Sequence, residues 1–268
     1  YINELYFPTR IMIGLGISDL NIQLIHLVFS GLGMYLLLEQ FKISKLIAFS
    51  IGLLWILNPY LITMIVFGHG SQMMTAAYIP WILYAINRLR YSVSIESASM
   101  LALLIGLELQ RGHVQIAYYT WMMIGLFFVI NIFYFFKNEV KDVYKFIKLK
   151  IGLIVSLILG LCLSLSIYLP ILKYSSKSIR GSNIGGGAGL EYATQWSLSL
   201  KEMLTFIFPY SLGFGGPLYF GDFPFTDYPN YISIFVIFLA FIGLLKSKIE
   251  KEFKLFFLLT IILSISIS

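Results

Sequence analysis

The sequence predicts an all-α, polytopic transmembrane helical bundle, and three observations carry that prediction. Hydrophobic residues fill 59% of the 268 positions and charged residues 12%, against roughly 45–50% and about 25% in soluble domains. Apolar runs of about 20 residues recur between short polar or basic breaks, the pattern of helical spans rather than of alternating barrel strands. The basic residues concentrate in alternate breaks, as expected of a chain that weaves through a bilayer. The net charge of +6, beside a mean hydropathy of +0.85, is therefore topological, and no nucleic-acid partner is expected.

Eight candidate spans follow in order, at 18–38, 43–58, 73–87, 93–109, 114–136, 149–172, 230–246 and 254–268. In the first, "SGLGMYLLL" (30–38) is a small-residue cluster that predicts close helix packing, and the mid-span His26 is expected to hydrogen-bond Gln23 or Ser30. The second runs into Asn58-Pro59, where a proline without a backbone donor should kink or end the helix. The breaks after spans one, three, five and seven hold 13 of the 19 basic residues, from Lys42 and Lys45 through Arg88, Arg90 and Lys137 to Lys254. These turns are assigned to the cytoplasm, which leaves residues 59–72, 110–113 and 173–229 on the extracytoplasmic side.

The fragment reads as a single transmembrane domain, residues 1–268, with 173–229 as a long loop within it. It opens on Tyr1 without an initiator methionine or a basic n-region and closes inside an apolar run, so both ends are expected to continue in a longer protein. Cys162, the single cysteine, leaves no disulfide framework within the chain. In the long loop, "GGGAG" (185–189) lacks the Lys-Ser/Thr and the strand-to-helix setting of a phosphate loop. "SLKEMLTFIFP" comes next, where Leu200, Leu204 and Ile207 share a face; this predicts a short amphipathic helix along the membrane surface.

Two Gly-His pairs stand out on the outer face. His69, in "FGHGSQMM" with Gln72, lies between glycines that let a ligand approach the backbone. It reads either as a donor to a phosphate or sugar oxygen or as a loop histidine satisfied by water. His113, in "QRGHVQIAYY" with Gln115, stands beside Arg111 and one turn above Glu108. Arginine offers a donor fork suited to phosphate, so this group reads either as a ligand site or as a local Glu108–Arg111 ion pair that ends the helix. Zinc is the weaker reading: it needs three or four ligands, and two histidines 44 positions apart do not establish a site. Asp222 and Asp227, among Trp196, Tyr219 and Tyr228, read as a general base, a divalent-cation ligand or a sugar-binding pair beneath a stacking ring, or else as turn residues. A divalent cation there is the one cofactor these residues leave open.

The stretches "FPTRIMIGLGISDLNIQLIHLVFSGLGMYLLLEQFKISKLIA", "GHGSQMMTAAYIPWILYAINRL", "GHVQIAYYTWMM", "YATQWSLSLKEMLTFIFPYSLGFGG" and "PFTDYPNYISIFV" resemble the bacterial YfhO-type membrane proteins through nearly the whole chain. That family is placed with the GT-C glycosyltransferases, multi-span enzymes that take a sugar from a polyprenyl-phosphate carrier. The resemblance implies a GT-C-like bundle in the bacterial cytoplasmic membrane with its active face extracytoplasmic. It implies hexosyl transfer from a polyprenyl-phosphate-linked donor to a cell-envelope glycopolymer or glycolipid. The catalytic aspartate usual in such enzymes is expected upstream of this chain; Glu4 and Asp19 are nearby but match no motif. His69, Gln72, Arg111, His113, Gln115, Trp196, Asp227 and Tyr228 are the expected substrate-binding residues. A lipid or solute transporter, or a non-catalytic envelope-assembly subunit, is the competing class, and the nearly charge-free span interiors weigh against transport.

Overall fold

The structure, a computed structural model, describes residues 6–137, 142–175, 197–213, 216–222 and 230–267. Among these, regular structure is helical: α1 (Phe7–Gly14), α2 (Asp19–Gln40), α3 (Lys45–Ile56), α4 (Pro59–Val66), α5 (Gly70–Ala76), α6 (Ile79–Tyr91), α7 (Ile95–Gln110), α8 (Val114–Lys137), α9 (Val143–Ser175), α10 (Ile234–Lys246) and α11 (Lys251–Ile267). Two 3-10 turns, Glu202–Phe206 and Gly216–Leu218, lie between α9 and α10. The chain divides into two compact units, one of Tyr1–Leu57 with Met64–Tyr168 and one of Asn58–Thr63 with Leu169–Ser268.

Four helical stretches among the described residues are long and apolar enough to cross a membrane: Asp19–Gln40, Lys45–Val66, Val114–Phe136 and Val143–Tyr174. Helices also stand where the other four spans are expected, but α6 and α10 have 13 residues each and α7 has 16. At about 1.5 Å per residue these fall short of a hydrocarbon core about 30 Å thick. Outward faces are apolar: Leu24, Val28 and Leu32 of α2 and Leu46, Phe49 and Leu54 of α3 are all exposed. This suits contact with lipid.

The segment 59–72, expected as an outer loop, is largely helical. Pro59 opens α4 at its first position, where the missing N–H has no intrahelical partner to lose, and Asn58 Oδ1 accepts from the Tyr60 amide at 2.9 Å. The proline starts a helix as well as ending one. The break between helices therefore shrinks to residues 67–69.

In the first unit, small residues set the helix spacing. A Cβ on Gly31 of α2 would stand 2.5 Å from Ile56 Cγ2 and 3.2 Å from the Gly52 carbonyl oxygen of α3. One on Gly33 would meet the Trp81 ring of α6 at 2.5 Å, and that indole stacks on Phe29 at 4.8 Å and donates to its carbonyl at 2.7 Å. Gly106 of α7 and Gly160 of α9 repeat the device, each meeting a side chain of the facing helix. His26 does not bond Gln23 or Ser30: its Nδ1 lies 2.8 Å from the Ile22 carbonyl, and Ser30 takes the Trp55 indole N–H. The i−4 carbonyl on the same face of the helix takes the ring nitrogen, while Gln23 is engaged with Asp19.

The second unit holds α10, α11 and a short loop knot. The expected amphipathic helix at 199–209 is a five-residue 3-10 turn, and Leu200 and Leu204 stay exposed at 84% and 51%. The group drawn inward is Glu202, 2% exposed. Its Oε1 accepts from the Tyr219 hydroxyl and from the Asp222 backbone N–H, which replaces a continuous apolar stripe with a carboxylate staple.

Gly31→Val should overpack the α2–α3 contact and destabilise the protein by about 1–3 kcal/mol. Denaturant unfolding in detergent measures this, and an unchanged midpoint would mean that the two helices are not in close contact.

Candidate functional site

The two Gly-His pairs have one structural logic. Gly68 and Gly112 both adopt left-handed backbone, with φ of 78° and 79°, where a side chain is disfavoured. Gly68 N–H bonds the Ile65 carbonyl and His69 N–H the Met64 carbonyl, the paired bonds of a glycine helix stop. Gly112 N–H bonds the Leu109 carbonyl in the same way. Each histidine then begins the next helix. His69 is the N-cap of α5, and the His113 carbonyl accepts from the Ala117 amide in the first turn of α8. The glycines are helix punctuation, and the histidines sit at the breaks.

These breaks come together around α5. This short helix packs against α2, α7 and α8, with Gly70, Met73, Met74, Thr75 and Ala76 all buried. A Cβ on Gly70 would collide with the Gln23 amide of α2, and Gln23 donates to Asp19 at 2.8 Å. Asp19 is exposed and opens α2, whose Ser18 cap accepts from Asn21 N–H. The second glycine of "GHG" is thus a packing glycine that seats the His69 turn on α2.

Burial lowers the pKa of His113, and a positive charge on nearby His69 opposes its protonation further. The two imidazoles are within electrostatic reach of one another. His113 Nδ1 accepts from the Ile116 amide at 3.4 Å, which assigns the proton of the neutral ring to Nε2 and leaves it as a donor. His69 is exposed and does not cap its own helix with its side chain. Gln72 lies one turn into α5, half-buried.

Arg111, expected at the surface, is 1% exposed. Its fork reaches Thr9 Oγ1 and Met74 Sδ, both at 3.0 Å, and its guanidinium lies 4.5 Å from the Tyr6 ring centre. These contacts are all inside the bundle. Burial pushes its pKa below the usual value, and Asp19 is among the groups that pull it back; it keeps its charge. Glu108 makes no local pair with it, and bonds Thr120 of α8 instead. Gln115 is exposed and donates to Tyr119 at 2.8 Å along α8. Trp196, Asp227 and Tyr228 lie outside the described residues, as does Glu4. In the second unit Asp222 enters the Glu202 staple through its backbone amide.

Sequence reasoning did not single out Tyr6, Thr9 or Tyr78, and gave Gln23 only as a partner for His26. Tyr6 and Tyr78 bond through their hydroxyls across 72 positions, and both rings lean on His26, at 5.9 and 6.5 Å. No local spacing could have paired them. Among the described residues no group of three or more His, Cys, Asp or Glu could hold a metal ion. Comparison with protein-family models, with curated proteins and with solved structures finds no match to this chain.

A lowered imidazole pKa links stability to pH with a definite sign. Above about pH 6.5, the ordinary histidine value, His113 is neutral folded and unfolded. As pH falls below that value the unfolded chain takes up the proton first, and stability drops. Acidification from about pH 7.5 to about 5 should lower the unfolding midpoint more in the wild type than in His113→Gln. An equal drop in both would remove His113 from the account.

Proposed function

We propose that this protein is a membrane glycosyltransferase that moves a sugar from a polyprenyl-phosphate-linked donor to a cell-envelope acceptor at the extracytoplasmic face. The observation that carries the proposal is the approach of the two Gly-His breaks. They set His69 and His113 at one end of a bundle whose outward faces are apolar. A carrier lipid lying along those faces would bring its phosphate to that end. The resemblance to the YfhO-type proteins supports the same reading, with eight spans, a GT-C-like arrangement and a place in the bacterial cytoplasmic membrane.

The chemistry asks for two things at that end. Donors must stabilise the phosphate as its bond to the sugar breaks, and a carboxylate must take the proton of the attacking hydroxyl. The Nε2–H of His113 suits the first task, with exposed His69 within electrostatic reach of it and half-buried Gln72 following His69 in α5. Buried Arg111 adds a fixed positive field without occupying the ligand's space. The carboxylate is expected upstream of Tyr1.

In the full-length protein, His69→Ala with His113→Ala should reduce transfer of labelled sugar from a polyprenyl-phosphate donor by about 10²-fold or more, while membrane insertion is unchanged. Undiminished turnover in the double variant would sink the role given to the pair.

A further inference from the structure

The proposed reaction leaves Glu108 unused. This side chain of α7 is 0% exposed. Its Oε1 lies 2.6 Å from Thr120 Oγ1 of α8, and its Oε2 has no hydrogen-bond partner among the described residues. Arg111, one turn on, directs its terminal nitrogens to Thr9 and Met74. The phenols of Tyr78 and Tyr168 face Glu108 within electrostatic reach. Each is already engaged, Tyr78 with the Tyr6 hydroxyl and Tyr168 with the Leu109 carbonyl at 3.0 Å.

Proton counting decides the state of this carboxyl. Thr120 has one hydroxyl proton and two acceptors within reach, Glu108 Oε1 and the Ile116 carbonyl at 3.2 Å. A carboxylate would need that proton and would still leave a charged Oε2 buried without a donor, an arrangement that desolvation strongly disfavours. A carboxylic acid removes both difficulties. Its O–H donates to Thr120 Oγ1, and Thr120 gives its own proton to Ile116, a back-bond habitual for threonine in helices. Oε2 is then a neutral carbonyl oxygen, far less costly to leave unpaired than a charge.

We propose that Glu108 is a proton-binding site inside the helical bundle, its carboxyl held as the acid with its O–H on Thr120. Glu108 and Thr120 lie on the two helices flanking the turn that carries His113. Release of the proton would put a bare charge between α7 and α8 and part them, so the proton is a structural ligand of that turn. The site does not depend on glycosyl transfer, and its test reads no turnover.

Infrared difference spectra of purified full-length protein in lipid at neutral pH, wild type minus Glu108→Gln, test this. The expected result is a carboxylic-acid C=O band above the amide I band, at the high-frequency end of its range because Oε2 accepts no hydrogen bond. It should be wholly absent from E108Q. Thr120→Val should keep the band and shift it, which also guards against misfolding of the first variant. Loss of a carboxylate band in its place would overturn the proposal. So would a band unmoved by T120V, or one abolished by added sodium or potassium chloride, which would mean a bound cation.

Discussion

The first unit depends on a buried positive charge. Arg111 sits at the end of α7 with 1% of its surface exposed. It ties α7 to Thr9 of α1 and to Met74 of α5 while its guanidinium covers the Tyr6 ring. A guanidinium taken out of water is costly unless its donors are met and a π face or carboxylate offsets the charge. Those partners come from segments far apart in sequence, so satisfying one side chain fixes the relative positions of three helices. α5 is the short helix against which α2, α7 and α8 all pack. Anchoring it anchors the His69 turn.

The glycines and histidines have separate tasks within this frame. Gly68 and Gly112 stop helices in left-handed backbone, Gly70 allows α5 to meet Gln23, and each histidine opens the next helix. A motif that reads as a ligand signature is thus explained in its glycines by chain geometry alone. Its imidazoles are not: nothing in helix punctuation requires histidine at both positions or brings the two together. Their approach, beside an exposed Asp19 and a buried cation, is the part of the arrangement that calls for a function.

Much of the helical content was legible because apolar runs and alternating basic breaks are local signals. Pro59 misled because the same residue that ends one helix starts the next with Asn58 as its cap, and nothing local to the proline separates the two roles. Arg111 misled for a different reason. Charge is assigned to surfaces by default, and the partners that make burial tolerable lie 102 and 37 positions away. The Glu202 staple escaped because a carboxylate in an amphipathic pattern reads as the solvent side. Glu108 was visible as a neighbour of Arg111, but its true partner, Thr120, lies across the turn on the next helix. The short α6 and α7 are also rich in buried residues, a sign of helices held mainly by other helices.

The central claim is that both Gly-His turns lie at the same end of the bundle and close together. Spin labels at positions 69 and 113, in full-length protein with the exposed Cys162 replaced by alanine, measure it in a lipid bilayer. The account predicts one short, narrowly distributed separation, well below the hydrocarbon thickness of about 30 Å. A separation near or above that thickness would put the two turns at opposite faces and contradict the site.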